Sequence, residues 1–213
     1  MRMRKKKHRE DRMANCSELI IENIADYKND IKAVFGDGKP LHMEIGCGKG
    51  KFILETAKRN PDINFIAVEK CLDVLVLALE KVKAEGLSNI KFAAGDVSMF
   101  ADFDTASKCD IIYLNFCDPW KKNKYAKRRL THANFLEIYK KLLKDGGAVY
   151  FKTDNRQLFE FSLNSFSDYG LRLKNITLDL HNSKFEGNIM TEYETNFSNL
   201  GQPIYRCEAV FKN

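Results

Sequence analysis

The stretch Leu41-His42-Met43-Glu44-Ile45-Gly46-Cys47-Gly48-Lys49-Gly50 decides how the rest of the chain is read. Residues 41–45 read as a strand, and glycines at alternate positions then let the backbone turn sharply. Residues 51–58 carry apolar side chains at helical spacing, so strand, turn and helix follow one another. Such a turn brings backbone N–H groups close to a ligand, and the helix start adds a positive dipole end. An ordinary strand-to-helix turn would look the same in isolation, so the downstream sequence has to decide.

Downstream, the alternation repeats. Strands are expected over residues 64–68 ending at Glu69, 90–94 ending at Gly95-Asp96, 109–116 ending at Cys117-Asp118-Pro119-Trp120, and 148–152 ending at Thr153-Asp154. Helices are expected over 72–85, stopped by Gly86, over 133–143, closed by Gly146-Gly147, and over 157–166. Residues 171–180 and 204–211 supply two last strands. Ahead of the glycine stretch, Leu19, Ile20, Ile24, Tyr27, Ile31 and Val34 recur at three- and four-residue steps behind Ser17, which predicts a helix over 17–35. The expected fold is α/β: a doubly wound, mostly parallel seven-stranded sheet with helices on both faces. It occupies one domain over residues 16–213, behind a basic and potentially flexible arm at 1–15. Ligands of such sheets bind outside the carboxyl ends of the strands. Five expected strand ends carry or adjoin an acid: Glu44, Glu69, Asp96, Asp118 and Asp154. Single acids there can be helix caps; five along one sheet edge describe a site.

Composition excludes several other classes. With 213 residues, 44% hydrophobic and 30% charged, the chain builds one sizeable core without repeats or low-complexity tracts. The apolar run at residues 74–79 is far too short to span a bilayer, and the charged N-terminus does not read as a secretory signal. A soluble cytoplasmic protein is expected. Six scattered cysteines form no C-x-x-C pair and have no histidines at zinc spacing, so reduced thiols and no metal are expected. The net charge of +6 is concentrated: residues 1–12 hold seven Lys or Arg against Glu10 and Asp11, and residues 121–129 hold six basic residues in nine. A basic arm and a basic loop suit a polyanion, although an arm of this composition can also be a solvated tail.

The glycine pattern G-x-G-x-G at Gly46, Gly48 and Gly50 is one residue tighter than the dinucleotide fingerprint, and Phe52 stands where a phosphate-binding loop needs Ser or Thr. Glu69, closing the second strand, is placed to accept hydrogen bonds from both ribose hydroxyls. Asp96, closing the third, is placed for an adenine amino group. Glu44 beside the turn would repel a pyrophosphate. A nucleoside with a cationic rather than an anionic tail fits these groups, and S-adenosylmethionine is such a molecule.

Residues 41–155 thus resemble the Rossmann-like methyltransferases. Asp118-Pro119-Trp120, Lys127-Arg128-Arg129-Leu130, Thr153-Asp154-Asn155 and Thr191-Glu192-Tyr193-Glu194 narrow the resemblance to the bacterial tRNA (guanine-N7-)-methyltransferase family over nearly the whole chain. The resemblance implies transfer of a methyl group from S-adenosylmethionine to N7 of a variable-loop guanosine, position 46 in tRNA numbering. It implies Glu44, Glu69, Asp96 and Asp118 as the acids around the cofactor, beside the turn glycines Gly46, Gly48 and Gly50 already read as approaching a ligand. It implies Lys122, Asp154, Thr191, Glu192, Tyr193 and Glu194 on the substrate, and Lys124, Tyr125, Lys127, Arg128 and Arg129 on the RNA. The chain departs from the family pattern at Lys121, where proline is common, and at Asn123 and Tyr125, which replace residues that are usually Lys and His.

Guanine N7 offers a free lone pair in the major groove, so no general base is required and positioning can carry the catalysis. Asp118 is expected to orient both reactants and to offset the charge developing on the purine. Asp154, Glu192 and Glu194 are candidates for accepting from the N1–H and N2–H of guanine, and Tyr193 for stacking on an extruded base. Thr191 to Glu194 is also a capping box, a role that can coexist with substrate contact. An NAD-dependent oxidoreductase, a non-enzymatic RNA-binding protein and a methyltransferase for another base or a protein are the rival readings. A monomer and a homodimer are both compatible with the sequence.

Overall fold

The computed structural model describes residues 6–198 and 200–212. Its centre is a seven-stranded sheet of β1 (Leu41–Ile45), β2 (Asn64–Glu69), β3 (Ile90–Ala94), β4 (Cys109–Asn115), β5 (Leu143–Thr153), β6 (Arg172–Thr177) and β7 (Tyr205–Val210). The strand order is β3-β2-β1-β4-β5-β7-β6. Pairings from β3 through to β5 are parallel, while β7 runs antiparallel to both β5 and β6. The helices are α1 (Arg9–Ala14), α2 (Lys51–Arg59), α3 (Leu72–Ala84), α4 (Ala133–Leu142), α5 (Arg156–Asp168) and α6 (Glu192–Ser198). The expected seven-stranded, mostly parallel fold is the one observed.

Alternation along β2 assigns the two faces. Phe65 and Ala67 pack with Ile53, Leu54 and Ala57 of α2 and Leu75, Ala78 and Leu79 of α3. Ile66 and Val68 face the opposite way, into a larger core with Leu136 and Tyr139 of α4 and Leu158, Phe159 and Phe166 of α5. A parallel sheet covered on both faces needs apolar side chains on both, which is why β2 is buried almost throughout. Topology then fixes the site. The chain winds from β1 outward to β3, then crosses to β4, so the crevice between β1 and β4 is the switch point where such sheets hold ligands.

Three expectations change. Residues 17–35 form three short 3₁₀ turns, Ser17–Leu19, Ile24–Tyr27 and Ile31–Val34, instead of one helix. Asn23 and Asp30 accept from the N–H groups of Ala25 and Lys32, restarting the backbone each time. Between the first two turns the chain joins the edge of β3, with Ile21 N donating to Phe92 O at 2.8 Å. The helix at 133 stops at Leu142, and β5 starts at Leu143, earlier than expected, with a bulge against β4 that contains Gly146 at φ +71°. The next-to-last strand is confined to Arg172–Thr177, with its register broken beside Asn175 at φ +48°.

Ahead of these elements, α1 lies on α3. Arg12 donates to both oxygens of Glu80 at 2.6 Å, and Arg9 reaches Asp73 at 3.4 Å. Residues 1–5 of the basic arm lie outside the described residues. Among the described residues no helix is long and apolar enough to cross a membrane.

Candidate active site

Gly46, Gly48 and Gly50 all take left-handed backbone, with φ of +79°, +58° and +78°. Gly46 N and Cys47 N both donate to Val68 O, so the turn folds back on the end of β2. Glu69 completes the fastening: its Oε2 accepts from Gly48 N at 3.0 Å and its Oε1 from Cys71 N at 2.8 Å. Each of those oxygens retains a lone pair for a ligand. At the other end of the turn, a Cβ on Gly50 would lie 2.7 Å from Ala78 Cβ, so this glycine permits α2 and α3 to touch. It serves the packing that aims the turn and lines neither cavity described below.

Two cavities open at the switch point. The larger, about 590 Å³, is bordered by Glu69, Asp96 and Asp118, with Val97, Trp120 and the Lys127 and Arg128 side chains among its walls. The smaller, about 330 Å³, is bordered by Glu44, Gly48, Asn115, Thr191, Glu192 and Tyr193. Gly46 and Phe116 line both, so the two spaces meet there.

Glu44 is buried inside β1. Its Oε1 accepts from Asn115 Nδ2 at 2.9 Å, while its buried Oε2 has no partner among the described residues. Burial pushes its pKa up to about 8, against the opposing hydrogen bond from Asn115. A cationic donor at this oxygen would favour the ionised carboxylate and supply the missing partner. Asp96 caps the turn after β3 by accepting from Ser98 N at 2.9 Å and from the Ser98 hydroxyl, and these hydrogen bonds hold its carboxyl below its ordinary range. Asp118 sits in a loop bracketed by two residues in left-handed backbone, Phe116 at φ +54° and Trp120 at φ +41°. Non-glycine residues hold such angles only where their surroundings enforce them. Phe116 N is fixed to Lys152 O at 2.9 Å.

On the far side of the smaller cavity, Thr191 and Glu194 form the capping box read from the sequence. Thr191 Oγ1 accepts from Glu194 N at 2.9 Å, and Glu194 Oε2 accepts from Thr191 N at 3.4 Å. Glu194 is fully buried and carries an ion pair with Lys152, while Glu192 lines the cavity and pairs with Lys81. Tyr193 is exposed. Its ring stacks on Phe197 at 4.2 Å and sits 5.1 Å from that of Phe116, and its hydroxyl donates to Asp154 Oδ2 at 3.2 Å. Asp154 therefore meets the site through Tyr193 and lines neither cavity.

The basic segment after Trp120 forms a 3₁₀ turn, Asn123–Arg128. Lys121, Lys122, Lys124, Lys127 and Arg128 are exposed. The Arg128 guanidinium lies over the rings of Trp120 and Tyr125, at 5.0 and 4.9 Å. Arg129 alone of the six basic side chains turns inward, to the backbone of the Asp118 loop.

The chain matches the family described as "Putative methyltransferase" over residues 38–207. It is 50% identical over 212 residues to a tRNA (guanine-N(7)-)-methyltransferase of Bacillus subtilis (strain 168), covering 100% of both chains. It is 51% identical over 211 residues to the protein of that name from Streptococcus pyogenes serotype M6, covering 99% of this chain and 100% of that one. The chain belongs to the tRNA (guanine-N7-)-methyltransferase family. Among solved structures, the 16S rRNA methyltransferase KamB aligns with a TM-score of 0.63 at 10% identity, over 86% of this chain and 93% of that one. An antibiotic-related methyltransferase aligns at 0.61 and 16% identity, over 87% and 94%. These two likenesses show the fold.

Sequence reasoning missed Asn115, Phe116 and Lys152. Asn115 and Lys152 are polar residues that end apolar runs, which is the signal the sequence carries for them. Phe116 gave none, because an aromatic residue at the end of a strand is ordinary core composition. Among the described residues no group of His, Cys, Asp and Glu is arranged to hold a metal.

Proposed function

We propose that this protein transfers the methyl group of S-adenosylmethionine to N7 of a tRNA guanosine, at position 46 of the variable loop, in the cytoplasm. The observation that carries the site assignment is the junction of the two cavities at Gly46 and Phe116, two residues before Asp118. The residues fit the cofactor. The unpartnered Glu44 Oε2 matches a cationic tail, the free lone pairs of Glu69 match ribose hydroxyls, and Asp96 borders the cavity where an adenine amino group would lie. Gly46 and Gly48 have nothing within 4 Å of where a Cβ would stand, which lets a ligand approach their backbone. When bound, S-adenosylmethionine supplies a methyl group on a positively charged sulfur.

The chain's own residues then bind, orient and balance charge. Guanine N7 has a lone pair available without deprotonation, so no base is assigned. Asp118 borders the larger cavity and is assigned to orient both reactants and to offset positive charge developing on the purine. Glu192 and Thr191, in the smaller cavity, are assigned to the guanine edge, and Tyr193 to stacking, with Asp154 holding its hydroxyl. Glu194 supports this edge from beneath through the capping box. Lys122, Lys124, Tyr125, Lys127 and Arg128 form the outward basic surface assigned to tRNA phosphates. A monomer and a homodimer are both compatible with this assignment.

The test is Asp118→Ala assayed on unmodified tRNA, with the modified nucleoside mapped by mass spectrometry. The wild-type protein should yield 7-methylguanosine at position 46, and the variant should fold yet yield almost none. Near-normal turnover in the variant removes Asp118 from the chemistry, and a different modified nucleoside removes the substrate assignment.

A further inference from the structure

We infer that Arg129 is a positioning residue, the clamp that joins the base of the basic turn to the loop carrying Asp118, and that it makes no phosphate contact. The residue is 8% exposed, against five exposed basic neighbours in the same run. Nε donates to Pro119 O and Nη2 to Trp120 O, both at 3.1 Å, so the planar fork grips two consecutive carbonyls. The guanidinium also lies 4.3 Å from the ring centre of Phe161 on α5.

This grip has two consequences. Residues 121–128 leave the Asp118 loop at Trp120 and return to it at Arg129, so one side chain closes the base of the whole basic turn. The gripped carbonyl of Trp120 belongs to a residue at φ +41°, and fixing it over-determines backbone that would otherwise relax. The far side of the clamp is rigid. The next two residues are fastened to α4 and α5, with Tyr139 Oη donating to Leu130 O at 3.1 Å and Ser165 Oγ to Thr131 O at 2.6 Å. Thr131 Oγ1 is 2.8 Å from Ser162 Oγ. Arg129 thereby transmits the position of α5 to the Asp118 loop, and tRNA seated on residues 121–128 would pull on that same point.

The inference rests on the assignment of Asp118 to the transfer step, and the two fail separately. Arg129→Lys and Arg129→Met are compared with Lys127→Ala in tRNA binding across a salt series and in turnover at saturating tRNA and S-adenosylmethionine. Sites are counted by cofactor binding, so loss of folded protein does not enter the rate. A lysine keeps a phosphate contact but cannot grip two carbonyls. Both Arg129 variants should lose turnover per site by about 100-fold, the cost of misplacing a reacting group by about 1 Å, with KM for tRNA and the salt slope close to wild type. Rescue by lysine, or a flattened salt slope with turnover retained in the Arg129 variants, would overturn the clamp. Asp118→Asn is run in parallel. Its retention of turnover would withdraw the role of Asp118 alone, since the loss in the Arg129 variants is read independently.

Discussion

Lys152 and Glu194, from β5 and the first turn of α6, form an ion pair of 2.8 Å whose side chains are 7% and 0% exposed. Every donor of the ammonium is used: Glu194 Oε2, Asn188 Oδ1 at 3.0 Å and Ile189 O at 2.9 Å accept from it. Glu194 Oε1 also accepts from Asn188 Nδ2 at 2.7 Å and lies 3.2 Å from His181 Nε2. Burial pushes the Lys152 ammonium pKa down, opposed by the charge of Glu194. The pair ties the start of α6, which lines the smaller cavity, to the carboxyl end of β5.

Removing one partner strands the other charge in the interior. Lys152→Met and Glu194→Gln are each expected to cost about 3–5 kcal/mol in urea unfolding. Losses within about 1 kcal/mol for both would show that the pair does not fasten α6.

Gly50→Ala combines left-handed backbone with a Cβ 2.7 Å from Ala78 Cβ and 3.1 Å from Ala78 Cα. Gly36→Ala is the control, since its φ of +70° is similar but nothing lies within 4 Å. The control should cost about 1 kcal/mol and Gly50→Ala about 2–4 kcal/mol, because only the second also forces α2 from α3. Equal losses would remove the packing argument for this glycine.

Glu44 has a folded-state pKa raised from 4.5 to about 8, mainly by burial. Between those values the folded chain holds a proton that the unfolded chain has released. Stability from this group is therefore fully present below the lower value and is lost as pH rises through the upper one. Urea midpoints of the cofactor-free protein should fall across this window, and Glu44→Gln, which cannot ionise, should show a shallower fall. Parallel profiles for the two proteins would contradict the buried neutral carboxyl.

Lys127 and Arg128 are exposed and also border the larger cavity. Reversing both charges should weaken tRNA binding by at least about tenfold and reduce the slope of log affinity against log salt by about 0.7–0.9 per lost phosphate contact. Filter binding over a salt series measures both, and unchanged affinity would remove this surface from the RNA interface.

The sequence alone determined the strands, their order of appearance, the glycine turn and the acids Glu44, Glu69, Asp96 and Asp118. These features are local: buried strands read as apolar runs, turns as glycine, and a carboxylate at a strand end faces the ligand edge in any sheet of this type. Tertiary structure decided which polar side chains face inward. Arg129 follows five outward basic residues in the chain, and its burial depends on Pro119, Trp120 and the ring of Phe161. Glu194 is the third residue of α6, and its partner Lys152 comes from β5, 42 positions earlier. The apolar spacing of residues 17–35 suited a helix, yet Ile21 pairs with Phe92 and local caps at Asn23 and Asp30 break the run. A backbone hydrogen bond or a charge is satisfied by whichever partner is near in space, and sequence spacing records only partners near along the chain.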